Sequence, residues 1–234
     1  GQVYIVGYTS SVDFPLFKGN NLFFDSVNGC FFNTSCRDIF VIKLNSANGN
    51  PIWASFYGAD NVSETASDIA LDGNGNVYIV GHGVPSATPY QLQPGASNFN
   101  YGNGLILKFN QQDSLLWATP FGTQQPSANE NINAIHIDAT NNIYICGTAT
   151  DPIGLNLMPL VNPGVNNTYQ GGSTDGFFAK FNSNDSIVTS SYIGGSDNDA
   201  ANGVTSDPSG KIFIIGTTRS LNIPTQNIGD IGAY

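Results

Sequence analysis

The apolar residues of this chain fall in short runs, each bounded by Gly, Asn, Asp or Ser. The runs are rich in β-branched and aromatic residues, are too short for helices and lack helical spacing, so they read as strands. One run repeats. Val3-Tyr-Ile-Val-Gly7 returns as Val77-Tyr-Ile-Val-Gly81, Ile143-Tyr-Ile-Cys-Gly147 and Ile212-Phe-Ile-Ile-Gly216, with closing glycines 74, 66 and 69 residues apart. Three more runs recur in fixed order. Ile39-Phe-Val-Ile-Lys43 is matched by Leu105-Ile-Leu-Lys108 and Phe177-Phe-Ala-Lys180. Ile52-Trp-Ala-Ser-Phe-Tyr-Gly58 is matched by Leu116-Trp-Ala-Thr-Pro-Phe-Gly122 and Val188-Thr-Ser-Ser-Tyr-Ile-Gly194. Asp68-Ile-Ala-Leu-Asp72 is matched by Ala134-Ile-His-Ile-Asp138 and Gly203-Val-Thr-Ser-Asp207.

Four short strands per unit, with no helix between them, is the pattern of a β-propeller blade. The central runs lack polar alternation, as strands do when both faces of their sheet are covered. The reading is therefore all-β with no helices of note. It places whole four-stranded antiparallel blades over 66–122 and 132–194, and partial blades over 1–58 and 201–234. Asp72, Asp138 and Asp207 open tight hairpin turns, where an Asp carboxylate accepts backbone N–H groups two residues on.

Composition narrows the function classes. Charged residues make up only 10% of the 234-residue chain, well below the roughly 25% of ordinary domains. Asparagine, with 29 residues, supplies polarity without charge. A net charge of −10, with five lysines and two arginines, excludes a nucleic-acid-binding patch. No apolar run approaches the roughly 20 residues of a membrane helix. The pattern opens inside a strand at Gly1 and stops in mid-pattern at Tyr234, which reads as a piece of a longer protein.

The segment Gly-x-Val-Tyr-Ile-Val-Gly-x-Thr-x-Ser-x-Asp-Phe-Pro, then Asp-x-Phe-Val-x-Lys-Leu, then Phe-Tyr-Gly before an acidic loop, resembles the SBBP-type β-propeller repeat. The resemblance covers nearly the whole chain and is best in the first unit; Asp13-Phe14-Pro15 has become Ala87-Thr88-Pro89 and Asn222-Ile223-Pro224 further on. That family occurs in secreted and surface proteins, notably of Bacteroidota. The resemblance implies about seven blades, so that the remaining blades of the same propeller are partners of this piece. It also implies that Ile-Ala-Leu-Asp is the innermost strand of each blade.

Candidate chemistry is sparse. Lys43, Lys108 and Lys180 share one register, either as cations facing a ligand or, the favoured reading, as structural lysines paired with an Asp of the adjoining unit. Asp60, Glu64, Glu130, Asp197 and Asp199 precede the innermost strands; they are read first as a solvated acidic rim and second as oxygen ligands for Ca²⁺. Long loops over 8–37, 82–103 and 148–174 carry Phe14, Phe17, Phe23, Phe24, Phe31, Phe32, Tyr90, Phe99, Tyr101 and Tyr169, which either bind a protein or glycan or cover blade edges. No Gly-x-Ser-x-Gly, His-Glu-x-x-His or Cys-x-x-Cys motif occurs, and only His82 and His136 offer imidazoles. No catalytic residue and no resident cofactor is assigned.

Cys30 and Cys36 share one loop, with five residues between them, and can reach the Cα separation of about 5.5 Å that a disulfide needs. Such a bridge implies an oxidising compartment. Cys146 takes a valine's place in its strand and should be packed and free. The family resemblance adds Ser26, Ser114 and Ser186, each in an Asp-Ser-aliphatic sequence, as candidate O-glycan acceptors; turn chemistry explains the last two equally well. The expected function is a non-catalytic binding or scaffold propeller of a secreted or cell-surface, outer-membrane-associated protein, such as an adhesin or a type IX secretion cargo. The competing class is a glycan-active enzyme on a propeller scaffold.

Overall fold

The computed structural model describes residues 1–20, 23–29, 36–60, 62–83, 102–122, 128–151 and 158–223. Over these residues the protein is all-β, with thirteen strands and no helix. The first sheet has three strands: β1 (Gln2–Thr9), β2 (Asp38–Asn45) and β3 (Pro51–Tyr57). The second holds β4 (Thr65–Leu71), β5 (Val77–His82), β6 (Gly104–Phe109) and β7 (Leu115–Phe121). The third holds β8 (Glu130–Ile137), β9 (Ile143–Ala149), β10 (Asp175–Phe181) and β11 (Ile187–Ile193). The fourth has β12 (Asp199–Ser206) and β13 (Ile212–Thr218). Within each sheet the strands pair antiparallel in chain order, so the four-stranded sheets expected over 66–122 and 132–194 are present as β4–β7 and β8–β11.

The central sheets bury both faces, which is why their strands lack alternation. In β5, Val77 and Ile79 face the first sheet and pack with Ile39, Val41 and Trp53. Tyr78 and Val80, one position out of phase, face the third sheet and join Ile135, Ile145 and Phe177. Each such side chain contributes about 1.5–3 kcal/mol when fully buried. The third junction uses smaller groups, Ala134, Cys146 and Ala201 with Val204 and Ile214 against them. Every substantial backbone approach between neighbouring sheets involves β4, β8 or β12. The sheets are thus closest along their first strands. Bulky side chains such as Trp53, Phe109, Trp117, Phe121, Phe177 and Phe181 fill the space towards the third and fourth strands.

The recurrent closing glycines have a steric cause. A Cβ on Gly81, Gly147 or Gly216 would collide with the carbonyl oxygen of Thr65, Asn131 or Ala200 on the neighbouring first strand. At the same point each first strand shifts register, between Ala66 and Asp68, Ile132 and Ala134, and Ala201 and Gly203. The bulge brings the backbone too close for any side chain. The Asp-led turns also behave as their sequence predicts: Asp72, Asp138 and Asp207 each accept N–H groups from two and four residues ahead, at 2.8–2.9 Å.

Parts of the first and third long loops return along the outer edges. Phe17 exchanges two backbone bonds with Ala54 of β3, and Val161 and Asn166 accept from Ser190 and Tyr192 of β11. Edge groups that would otherwise template another chain are thereby paired. The two end faces differ from the interior. Val3 and Ile5 are 44% and 42% exposed, and Phe213 and Ile215 are 52% and 71% exposed, while their interior counterparts Val77, Ile79, Tyr78 and Val80 are 0–2% exposed.

Candidate functional site

Polar chemistry gathers at two levels of the sheet junctions. One level is built on the lysines. In three sheets a Tyr and a Lys stand opposite each other in register: Tyr4 with Lys43, Tyr78 with Lys108, and Tyr144 with Lys180. The ammonium lies over the phenol ring at 5.3, 4.9 and 5.2 Å from the centroid. In the first two cases an Asp arrives from the next sheet. Lys43 Nζ donates to Asp113 at 2.8 Å, and Lys108 Nζ to Asp185 at 2.7 Å. The tyrosines donate to the same carboxylates, Tyr4 at 3.1 Å and Tyr78 at 3.0 Å, and Trp117 Nε1 adds a bond of 3.2 Å to Asp185. Burial works against the Lys43 charge, but the contacts with Asp113 and Tyr4 outweigh it and raise its pKa. Burial beside Asp185 drives the Tyr78 hydroxyl far above its ordinary range.

The aspartates are held for this task by their turns. Asn110 and Asn182 accept, through Oδ1, the N–H groups two and four residues ahead, and each backbone carbonyl takes the N–H of Asp113 or Asp185. This places Asp113 and Asp185 at φ 57° and 61°, the left-handed region that Asp tolerates better than most residues. Among the described residues the third lysine makes no such ion pair. Lys180 lies beside a cleft of about 430 Å³ lined by His136, Asp138, Tyr144, Ser206 and Asp207. There Tyr144 donates to Asp138 of its own hairpin at 2.7 Å, and burial with that bond pushes the hydroxyl up to about 12.

The second level is a set of carboxyl pairs. Asp38, Asn103 and Asp175 occupy one position, five residues before each lysine; Glu64, Glu130 and Asp199 occupy another, just ahead of or at the start of the next sheet's first strand. The pairs are therefore Asp38 with Glu64, Asn103 with Glu130, and Asp175 with Asp199. All five acids are buried. Burial, reinforced by Asp38, pushes Glu64 up to about 8. Burial likewise raises Asp38 to about 6 against the bond from Gly29, and Asp175 to about 6 against the bond from Gln170. Burial opposes ionisation of Asp199 too, but bonds from Thr218, Ser220 and Gly195 win and hold it low. The glycines just after β3, β7 and β11, Gly58, Gly122 and Gly194, lie against Asp38, Glu130 and Asp175, where a Cβ would strike the carboxyl.

The structure divides the residues singled out from sequence. Asp60 and Asp197 are exposed, as a solvated rim requires, whereas Glu64, Glu130 and Asp199 are buried between sheets and belong to no rim. Among the described residues, no three His, Cys, Asp or Glu side chains gather into a metal-holding group. Ser26 and Ser186 are exposed; Ser114 buries its Oγ. Cys36 is buried, Cys146 is buried and free, and Cys30 lies outside the described residues. His82 and His136 bond to the Glu130 carbonyl and to Ser206 Oγ.

Three loop aromatics cover the scaffold: Phe14 stacks on Phe40 at 4.7 Å, Phe23 meets Phe109 at 5.5 Å, and Tyr169 meets Tyr192 at 5.8 Å. Phe17 and Phe24 are described as well, Phe17 being exposed. Phe31, Phe32, Tyr90, Phe99 and Tyr101 lie outside the described residues. Sequence reasoning missed Asp113 and Asp185 as the lysine partners, and Asp38 and Asp175 as halves of carboxyl pairs. Their recurrence at fixed distances from Asn110, Asn182 and the lysines was the available signal. No family model matches the chain, and no curated protein matches it. No helix among the described residues is long and apolar enough to cross a membrane.

Two outcomes follow from these junctions. Removing one partner of a buried ion pair leaves the other charge uncompensated, at a cost of about 3–5 kcal/mol. Lys108→Met and Asp185→Asn should each destabilise by about that amount in urea unfolding, while Lys180→Met, which makes no ion pair among the described residues, should cost less than about 1 kcal/mol. Equal losses at Lys108 and Lys180 would refute the distinction. The second outcome concerns pH. Glu64 binds its proton more tightly in the folded chain, from an ordinary 4.5 up to about 8, so its contribution is full below 4.5 and is lost as pH rises through 8. Unfolding midpoints measured in chelator across this window should fall with pH, and Glu64→Gln should flatten the fall; an unchanged slope would contradict the assignment.

Proposed function

We propose that the chain is a segment of a β-propeller of the SBBP type and serves as a non-catalytic scaffold or binding module. One observation carries this reading: the faces of the first and fourth sheets expose apolar residues whose interior equivalents are sealed by a neighbouring sheet. The supporting geometry is radial. Sheets approach closest along their first strands, and aromatic side chains widen the gap beyond, as the taper between blades demands. Further sheets of the same repeat are the partners of the end faces. Lys180, waiting over Tyr144, marks where the next Asp-bearing turn would arrive.

The use of ionisable groups also favours a scaffold. Lysines, aspartates and tyrosines are spent on holding sheets together, and both imidazoles bond to the neighbouring sheet. A protein or glycan ligand would meet the loops that carry the exposed Phe17. Export to the cell surface, with the Cys30–Cys36 bridge formed and O-glycans at the exposed Ser26 and Ser186, completes the proposal; the single free cysteine among the described residues, Cys146, is consistent with it.

The chain alone should run on size exclusion as an oligomer or aggregate, because its end faces find each other. Ile5→Lys with Ile215→Lys should disperse it. A wild-type chain that is a stable monomer would overturn the reading. Thiol titration of the denatured, unreduced protein should find one reactive cysteine; three would remove the bridge and, with it, the argument for an oxidising compartment.

A further inference from the structure

The three carboxyl pairs form an internal comparison, because one of them carries an amide in place of an acid. At the Asn103–Glu130 junction, the backbone N–H of Asn103 donates to Glu130 Oε2 at 3.1 Å, and no Glu130 oxygen is left buried without a partner. At the two junctions with a pair of acids, satisfaction fails. Glu64 Oε2, Asp175 Oδ1 and Asp199 Oδ1 are all buried and have no hydrogen-bond partner. Their side chains are 3%, 0% and 3% exposed. An orphan carboxylate oxygen inside a protein is costly, and native structures normally give it a proton, a water or an ion.

The third junction is the more strongly charged. Asp151 and Glu130 are also buried, and the Asp151, Asp175 and Asp199 charges converge on Tyr169, those of Asp151, Glu130 and Asp175 on Tyr192. Both ion pairs among the described residues belong to the lysine level. Gly194 keeps a space open between the acids: a Cβ there would lie against Asp175 Oδ1 and 3.0 Å from Asp199 Oδ2. The remaining oxygens are already engaged. Asp175 Oδ2 accepts from Gln170 N at 2.5 Å, and Asp199 Oδ2 from Gly195 N at 2.6 Å and Ser220 Oγ at 2.7 Å. Each acid is thus oriented by one oxygen and presents the other.

We propose that Asp175 and Asp199 bind a divalent cation, Ca²⁺, at the junction of the third and fourth sheets. Hard carboxylate oxygens select Ca²⁺ or Mg²⁺ over softer metals, and Ca²⁺ accepts an irregular shell completed by carbonyls and water. Two carboxylates match its charge. The Asn103–Glu130 junction, one charge short and internally satisfied, binds none. The site differs from the exposed Asp60 and Asp197 stretches, which are solvated.

Calorimetric titration of the full chain with CaCl2 at neutral pH should give about one site with a dissociation constant of about 10⁻⁴ M, the range of extracellular Ca²⁺ modules. Terbium should show emission sensitised by Tyr169 and Tyr192, and CaCl2 should quench it. Asp175→Asn or Asp199→Asn should weaken the site at least tenfold and abolish the terbium signal; Glu130→Gln should leave it intact. Where one of the two Asn variants does not fold, the other carries the test, and the thermal midpoint of the wild-type chain should rise with CaCl2 and fall back in chelator. No Ca²⁺ heat and no terbium emission from the wild-type chain would overturn the proposal, as would Ca²⁺ binding that survives both Asp175→Asn and Asp199→Asn.

Discussion

A sheet with apolar residues on both faces cannot stand alone, and this constraint orders the rest of the molecule. Val77 and Ile79 look one way from β5 and Tyr78 and Val80 the other, so each central sheet requires two neighbours. Stacking sheets in chain order meets that need with short connections. The closest approach falls on the first strands, and the details there follow from it. The bulges in β4, β8 and β12 tighten the backbone, and the glycines opposite them remove the side chains that would block it. Cys146 sits in the same narrow zone, where a small apolar group fits.

Hydrophobic contact presses the sheets together without fixing how far one slides on the next. Directional groups supply the register. A lysine from one sheet meets an aspartate at the turn of the next, and the Tyr ring beneath the ammonium and the Tyr hydroxyl on the carboxylate leave few alternative arrangements. Such a buried pair adds little net stability, because desolvating both charges offsets their attraction. Its value lies in specificity: a slipped sheet would leave a charge buried and unpaired. Three of the chain's five lysines occupy this position, which accounts for so few charges being placed with such regularity.

The fold was largely legible because it is written several times over. A single Val-Tyr-Ile-Val run is compatible with many structures; four copies in fixed order with three other runs are not. The lysine register was visible for the same reason. Its partners were hidden by distance, since Asp113 is 70 residues from Lys43 and looks locally like any Asp in an Asn-rich turn. The Asp-Ser-aliphatic sequences were ambiguous on the same ground: at Asp113 and Asp185 the turn that orients the acid is sufficient cause for the motif. The acidic residues misled more. Asp60 and Glu64 stand in one short stretch, yet one is solvated and the other is sealed between sheets, because Glu64 immediately precedes β4 and is carried inward with it.

The two polar levels solve opposite problems. At the lysine level each buried charge meets its complement within the protein, so the junction is neutral as built. At the carboxyl level like charges are brought together, and at the middle junction the backbone N–H of Asn103 relieves the remaining acid. Asn at the positions of Asp38 and Asp175 would take one buried acid out of each of the other two junctions. The two acids open β2 and β10, where the long loops join the sheets, so any group that neutralises them acts at the boundary between loop and strand.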